Sequence, residues 1–421
     1  MSFLFKKLVV FSLIFSILLI NNTIILADDE IENIEINEIK QVIQTASEVI
    51  NEPKINSRYA IVLDRNSKAI LYGKNEKMKT KMASTTKIMT SLIVIENSNL
   101  SDIVEISAKA AETGGSRLKI KKGDKITVKD LLYGLMLRSG NDAAVALAEY
   151  VGGSIEDFAI LMNKKAKELE LKNTHFVTPH GLDSEEHYTT PYELAILTDY
   201  ALKNEIFSNI VKTKSCNISI NEISRTISNT NELLGYLNGV YGVKTGFTNG
   251  AGRCLVTSIK RGDLDIICVV LGADTKKIRT TDSVKLIEYS FENFYNIDIK
   301  TRIEEEFNNW KSINKGRINI KKGIKNVINI ELEEYDLETY PIKNNTEDNI
   351  KVQIDVNLDL IAPIEKNTRI GEVTLIYNEN IISKIGIITS EKIKKKGIID
   401  YMLEILSWKS INNKSVYDLK I

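Results

Sequence analysis

The stretch Met82-Ala83-Ser84-Thr85-Thr86-Lys87-Ile88-Met89-Thr90 constrains this chain more than any other. Ile88, Leu92 and Ile95 recur at helical spacing, which predicts a deeply buried helix from Ser84 to about residue 97. Ser and Thr suit such a start, because their hydroxyls satisfy free backbone N–H groups. A buried helix needs a layer to lie on. Residues 59–63 and 69–72 are strand-like runs, and Asp64-Arg65-Asn66-Ser67 between them has turn chemistry, so a hairpin is expected just upstream. A hairpin followed by a buried helix opens a layered α/β (α+β) domain.

The helix start also carries chemistry. Residues three apart share a helix face, so Lys87 stands one turn above Ser84. A Ser hydroxyl is a poor nucleophile until a neighbouring base takes its proton. A lysine in a desolvated cleft can be neutral enough to do so, and the helix N-terminus favours developing negative charge. The spacing alone is not distinctive, since Ser312-Ile313-Asn314-Lys315 repeats it. Its company downstream gives it meaning.

Residues 128–150 read as two helices interrupted at Arg138-Ser139-Gly140-Asn141, with Leu131, Leu132, Leu135 and Met136 on one apolar face. Gly140 is expected to supply the sharp turn, leaving the Ser139 hydroxyl and Asn141 amide at a loop tip on a rigid mount. Taken alone, the tripeptide also fits a plain turn with Asn141 capping the second helix. A glycine-rich stretch at 238–252 encloses Val243-Lys244-Thr245-Gly246-Phe247-Thr248 and precedes strand-like runs at 254–258 and 265–271. Lys244 and Thr245 at the beginning of such a strand could hold an anionic group, and Gly246 lets another backbone approach. Residues 282–294 should form a helix burying Leu286, Ile287, Phe291 and Phe294, closing the domain near residue 300.

His175, His180 and His187 cluster in sequence but lack a His-x-x-x-His pair, so hydrogen bonding in an ordered loop is expected rather than a metal site. Three cysteines, Cys216, Cys254 and Cys268, are no disulfide framework, and the latter two sit in core-like runs. The chain has 421 residues, and its 56 basic and 56 acidic residues give no basis for a nucleic-acid partner.

Beyond the first domain the pattern changes. Residues 350–360 alternate apolar and polar, and 318–320, 328–332 and 373–377 look similar, so residues 301–392 are expected to be a small all-β domain. Lys392, Lys394, Lys395 and Lys396 then precede Ile398, Ile399, Met402, Ile405 and Leu406, with Trp408 nearby. Residues 393–421 thus read as an amphipathic tail, too short to span a bilayer, that either lies in a membrane interface or packs on the protein itself. At the other end, Lys6 and Lys7 precede an apolar run from 8 to 20, so residues 1–27 resemble an export signal, an uncleaved anchor being the alternative. Residues 28–52 read as an acidic linker with a short helix around Val42, Ala46 and Ile50.

Ser84-Thr85-Thr86-Lys87, Ser139-Gly140-Asn141 and Lys244-Thr245-Gly246 stand in the order found in penicillin-binding proteins and β-lactamases. With Thr178-Pro179-His180-Gly181-Leu182-Asp183 and Asn229-Thr230-Asn231-Glu232-Leu233-Leu234, the chain resembles the low-molecular-mass penicillin-binding D-alanyl-D-alanine carboxypeptidases, peptidase family S11. The resemblance implies a serine DD-peptidase domain at 53–300 that needs no cofactor or metal, with the β domain and tail where that family keeps them. It implies Ser84 as the acylated nucleophile, Lys87 as its base, Ser139 as a proton relay and Asn141 as the group orienting Lys87 and substrate. It also implies Lys244, Thr245 and, by a looser match, Arg279 as holders of a substrate carboxylate. Gly246 completes the third motif, and the backbone N–H of Ser84 and Phe247 would form the oxyanion hole. The implied partners are a peptidoglycan pentapeptide, covalently bound β-lactams and a membrane surface reached through the tail. A β-lactamase fits less well, because no Glu-x-x-x-Asn element follows the Ser-Gly-Asn loop and a β domain is added. A non-catalytic wall-binding protein fits less well, because Ser84, Lys87 and Lys244 are intact.

Overall fold

A computed structural model describes residues 40–42 and 52–406. The export segment, the linker apart from residues 40–42, which are helical as expected around Val42, and the tail beyond residue 406 lie outside the described residues.

The hairpin forms: β1 (Tyr59–Asp64) pairs antiparallel with β2 (Ile70–Lys74), Val62 facing Tyr72. Three strands from much later in the chain complete the sheet. They are β3 (Val240–Thr248), β4 (Gly252–Arg261) and β5 (Leu264–Ala273), in the order β2-β1-β5-β4-β3. The third motif therefore lies within an edge strand rather than at the strand's beginning.

Both faces of this antiparallel sheet are covered. Ile61 and Leu63 of β1 join the core beneath α1 (Lys87–Asn97), α2 (Val128–Leu137), α3 (Asn141–Gly152), α4 (Ile155–Glu168) and α5 (Pro191–Leu202). Their neighbours Ala60 and Val62 point the other way, against Val284, Leu286 and Ile287 of α6 (Lys276–Asn293). That alternation is the period of two inherent in a strand. Because both sides are dry, β5 reads as a nearly unbroken apolar run, and each fully buried Ile or Leu contributes about 1.5–3 kcal/mol. Helix α1 is buried from Lys87 to Val94, its polar Lys87 and Thr90 being satisfied by Asn141 Oδ1 and the Pro179 carbonyl. Helix α6 starts earlier than residue 282 because Thr275 caps it, accepting the Ile278 N–H at 3.1 Å.

Contacts divide the chain between Phe294 and Tyr295, ahead of the expected residue 300. The second unit is not all β. It opens with α7 (Ile299–Ile313), which buries Ile299, Ile303 and Phe307 at helical spacing and is capped by Asp298. Its sheet contains β6 (Ile330–Leu332), β7 (Ile350–Val356), β8 (Arg369–Tyr377) and β9 (Asn380–Thr389), in the order β6-β9-β8-β7. The alternating run breaks after Val356, and residues 359–361 pair with 319–321 instead. Residues 398–406 are helical, with Ile398, Ile399, Met402 and Leu406 all exposed. Trp408 lies outside the described residues. Among the described residues no helix is long and apolar enough to cross a membrane.

Candidate active site

Ser84 lies in a 3-10 turn, Ala83–Thr86, that runs into α1. Every residue from 82 to 94 is buried except Ser84. Its hydroxyl does not cap the helix. Thr85 and Thr86 turn their hydroxyls back on the Met82 and Ala83 carbonyls, at 2.6 and 2.8 Å. The Ser84 Oγ is left 2.7 Å from Lys87 Nζ. The same Nζ donates to Asn141 Oδ1 at 2.7 Å and to the His180 carbonyl at 3.0 Å. Lys87 is fully buried, so these acceptors replace water around its amine.

The break between α2 and α3 places Asn141, but not as the glycine predicted. The left-handed conformation belongs to Ser139, with φ of 58°, whereas Gly140 has φ of −59°. Gly140 matters for room: a Cβ there would lie 2.9 Å from Asp142 Oδ1 and 3.3 Å from the Leu118 nitrogen. Asn141 does not cap α3. Its Nδ2 donates to the Gly114 carbonyl at 2.7 Å, so one side chain bridges Lys87 and the 113–120 loop. The Asp142 carboxylate fixes the same loop, accepting N–H from Leu118 and Lys119, each at 2.8 Å.

A strap at 173–190 closes the other side. Glu193 of α5 anchors its start, accepting from Asn173 N at 2.9 Å and Thr174 Oγ1 at 2.6 Å. Gly181, with φ of 87°, presses on the Ala83–Thr86 turn so closely that a Cβ would sit 1.9 Å from the Ala83 oxygen. The Asp183 carboxylate accepts from Thr248 Oγ1 at 2.7 Å and Gly250 N at 2.9 Å, tying the strap to the end of β3. The histidines hold this segment internally: His175 Nδ1 meets the Glu186 carbonyl at 2.5 Å, and His180 Nδ1 accepts the Leu182 N–H at 3.2 Å.

From the sheet, β3 brings its motif against the turn. A Cβ on Gly246 would lie 3.0 Å from the Ser84 nitrogen and 3.2 Å from Thr85 N, so a larger residue there would have to push the turn back. Lys244 is buried and donates to the Thr245 carbonyl at 2.8 Å, and the Thr245 and Thr230 hydroxyls lie 2.8 Å apart. The Phe247 ring lies beneath the Arg253 guanidinium, 3.9 Å from its centroid. Arg279 is fully buried and ion-paired with Glu232, which Thr280 Oγ1 also donates to at 2.5 Å. Burial pushes the Glu232 carboxyl up, but Arg279 and Lys276 pull it below its ordinary value.

Ser84, Lys87 and Asn141 are thus linked directly, and Gly246 packs on the Ser84 backbone. Lys244, Thr245 and Phe247 share that strand, while Arg279 is placed through Glu232. The sequence pointed to the loop holding His180, but gave no sign of the roles of its carbonyl, Gly114, Asp142 or Asp183.

Comparison with known proteins decides the family. The family model for D-alanyl-D-alanine carboxypeptidase, peptidase S11, matches residues 45–275, and that for the penicillin-binding protein 5 C-terminal domain matches 309–395. The chain belongs to the D-alanyl-D-alanine carboxypeptidases. It is 34% identical over 369 residues to the carboxypeptidase DacF of Bacillus subtilis, covering 86% of this chain and 91% of that one. With DacC of Escherichia coli it is 32% identical, again over 86% of this chain and 91% of the relative. Penicillin binding protein 5 from Haemophilus influenzae superposes with a TM-score of 0.67 at 28% identity, over 82% of this chain and all of that one.

Two buried rings give this carboxypeptidase an acid sensitivity. Burial, then the charges of Lys87 and His187, push His180 from its ordinary 6.5 down to about 3. Burial and then His175 push His187 down to about 4, against a smaller opposing effect of Asp183. Well above pH 6.5 both rings are neutral whether the chain is folded or not. Below it the unfolded chain takes protons that the folded one refuses, so stability falls as pH falls. By pH 5 the loss is about 2 kcal/mol per ring. Denaturant titrations at pH 7 and pH 5 check this: His187→Gln should lose about 2 kcal/mol less across that interval than the native chain. An unchanged difference would remove His187 as a contributor.

Proposed function

We propose that this carboxypeptidase removes the terminal D-alanine from peptidoglycan stem peptides through an acyl-enzyme on Ser84. The observation that carries the reading is the exposure of Ser84 alone in a buried helix start, with Lys87 Nζ 2.7 Å from its Oγ. A neutral lysine amine has two N–H groups and one lone pair. Asn141 Oδ1 and the His180 carbonyl can only accept, so they take both N–H groups and leave the lone pair for the Ser84 hydroxyl. Lys87 then removes the Ser84 proton as Oγ attacks the penultimate carbonyl. Ser139 passes a proton to the departing D-alanine. Lys244 and Thr245 hold the terminal carboxylate, Arg279, fully buried in its ion pair with Glu232, being the looser assignment. The N–H groups of Ser84 and Phe247 stabilise the oxyanion, the close packing of Gly246 on Ser84 N supporting that pairing. Water releases the shortened peptide in the second half-reaction. A β-lactam presents a carboxylate and a strained amide to the same groups and acylates Ser84. Incubating the purified protein with a pentapeptide muropeptide tests the reading by mass spectrometry. Loss of one D-alanine is expected. Cross-linked products alone, or an untouched substrate, would overturn it.

This substrate lies outside the cytoplasmic membrane, which fits an exported enzyme with catalysis in the unit ending at Phe294. We assign attachment at the membrane surface to the tail. The support is a basic cluster at Lys394–Lys396 followed by the exposed Ile398, Ile399, Met402 and Leu406. Lys394 and Lys395 near anionic head groups would each contribute about 1 kcal/mol, Lys396 being ion-paired with Glu404, and the apolar face enters the acyl boundary. Deleting residues 398–421 should move the protein from the membrane fraction to the soluble one, with turnover on a soluble peptide unchanged. Retention of the truncated protein would place the anchor at residues 8–20 instead.

A further inference from the structure

His187 is buried in the strap, and its two ring nitrogens have unlike partners. Nδ1 lies 3.0 Å from the Val177 nitrogen. A backbone N–H can only donate, so Nδ1 accepts and the neutral ring carries its proton on Nε2. Nε2 lies 2.8 Å from Thr86 Oγ1 and donates to it. The Thr86 hydroxyl proton in turn goes to the Ala83 carbonyl, 2.8 Å away. The chain of donors runs one way: His187 to Thr86 to Ala83.

The end of this chain is what matters. The Ala83 carbonyl and the Ser84 N–H belong to one planar peptide unit and point in opposite directions. Whatever fixes the carbonyl aims the N–H. Ala83 needs such fixing, because its φ is 49°, a left-handed conformation strained for a residue with a Cβ. Gly181 packs against the same carbonyl and the Thr86 hydroxyl, where a Cβ would lie 1.9 and 2.6 Å from them.

We propose that His187 is a positioning residue that aims the Ser84 backbone N–H at the oxyanion through Thr86 and the Ala83 carbonyl. The proposal rests on the Ser84 acyl-enzyme reading above. His187 touches no reacting atom, and the charged or titratable groups acting on it are His175, Asp183 and His180. Its ring also packs edge-on against Phe176, with centroids 5.8 Å apart, so a purely space-filling role is the competing explanation.

The test uses the full chain, a labelled penicillin and a D-Ala-D-Ala peptide. Loss of an oxyanion donor costs about 10²–10³-fold in kcat, so a misaimed one should cost about 10–10²-fold. That loss is expected in His187→Ala and in Thr86→Val, with KM within about threefold of the native value. His187→Gln offers an amide oxygen to Val177 and an N–H to Thr86, and should recover most of the rate. The double variant His187→Ala, Thr86→Val should be no slower than Thr86→Val alone, since both cut one chain. If His187→Ala fails to fold, Thr86→Ser against Thr86→Val carries the test, Ser keeping the hydroxyl and Val losing it. The proposal is overturned if the alanine variant keeps native kcat, if glutamine is as poor as alanine, or if Thr86→Ser is as slow as Thr86→Val. Failure of the native protein to label at Ser84 would be a different result, removing the acyl-enzyme reading itself.

Discussion

Ser84→Ala abolishes covalent labelling by penicillin and lowers peptide turnover by on the order of 10⁴-fold or more, the scale on which loss of a nucleophile acts. The fold should survive. Ser84 is partly exposed, and its hydroxyl supports no helix cap. Circular dichroism and the thermal midpoint should therefore match the native chain. Peptide mapping of the labelled native protein should put the adduct on Ser84. The second Ser-x-x-Lys match offers a control: Ser312 and Lys315 are exposed, with no buried amine to take a proton. A label on Ser312, or persistent label in the alanine variant, would refute the assignment of the nucleophile.

Lys87→Ala should remove acylation almost as completely, for a separable reason. Pre-steady-state kinetics should show the acylation step falling by at least about 10³-fold while the initial non-covalent complex forms nearly as before. Stability should fall too, because the Asn141 Oδ1 and His180 oxygens lose a buried donor, at about 1–3 kcal/mol for each unsatisfied group. Lys244→Ala should behave differently, weakening the initial complex, since it removes a positive partner of the substrate carboxylate. Identical effects of both variants on the acylation step alone, with unchanged initial binding, would show that the two lysines are misassigned.

The legible part of the site consists of side chains whose chemistry is local. Ser84 and Lys87 share one helical turn, and the Lys244-Thr245-Gly246 run sits on one strand, so their spacing in sequence is their spacing in space. The third partner of Lys87 is a backbone carbonyl, which has no residue identity to read. The His180 ring was read for local hydrogen bonding, while it is the main-chain oxygen of His180 that holds Lys87. The turn at 138–141 was legible as a turn, yet the glycine marks a crowded spot and Ser139 takes the left-handed conformation. In the second unit, the alternation of β7 outweighed the i, i+4, i+8 spacing of Ile299, Ile303 and Phe307, which is why α7 went unread. The covering of both sheet faces was foreseeable only in part. The unbroken apolar run of β5 signals it, but the pairing of β1 with β5 joins segments some two hundred residues apart, beyond any local pattern.

The burial of α1 ties the enzyme's chemistry to its cooperative core. Segments that open by local fluctuation are those with few packed apolar contacts, and α1 is the opposite: it is enclosed between the sheet and the other helices. Breathing of the outer loops can admit or release ligands while Ser84 stays in register with Lys87. Ser84 and Lys87 should therefore stay in register until the domain core unfolds, while loosening of the 173–190 strap, which holds Lys87 through the His180 carbonyl, should lower turnover before the fold is lost.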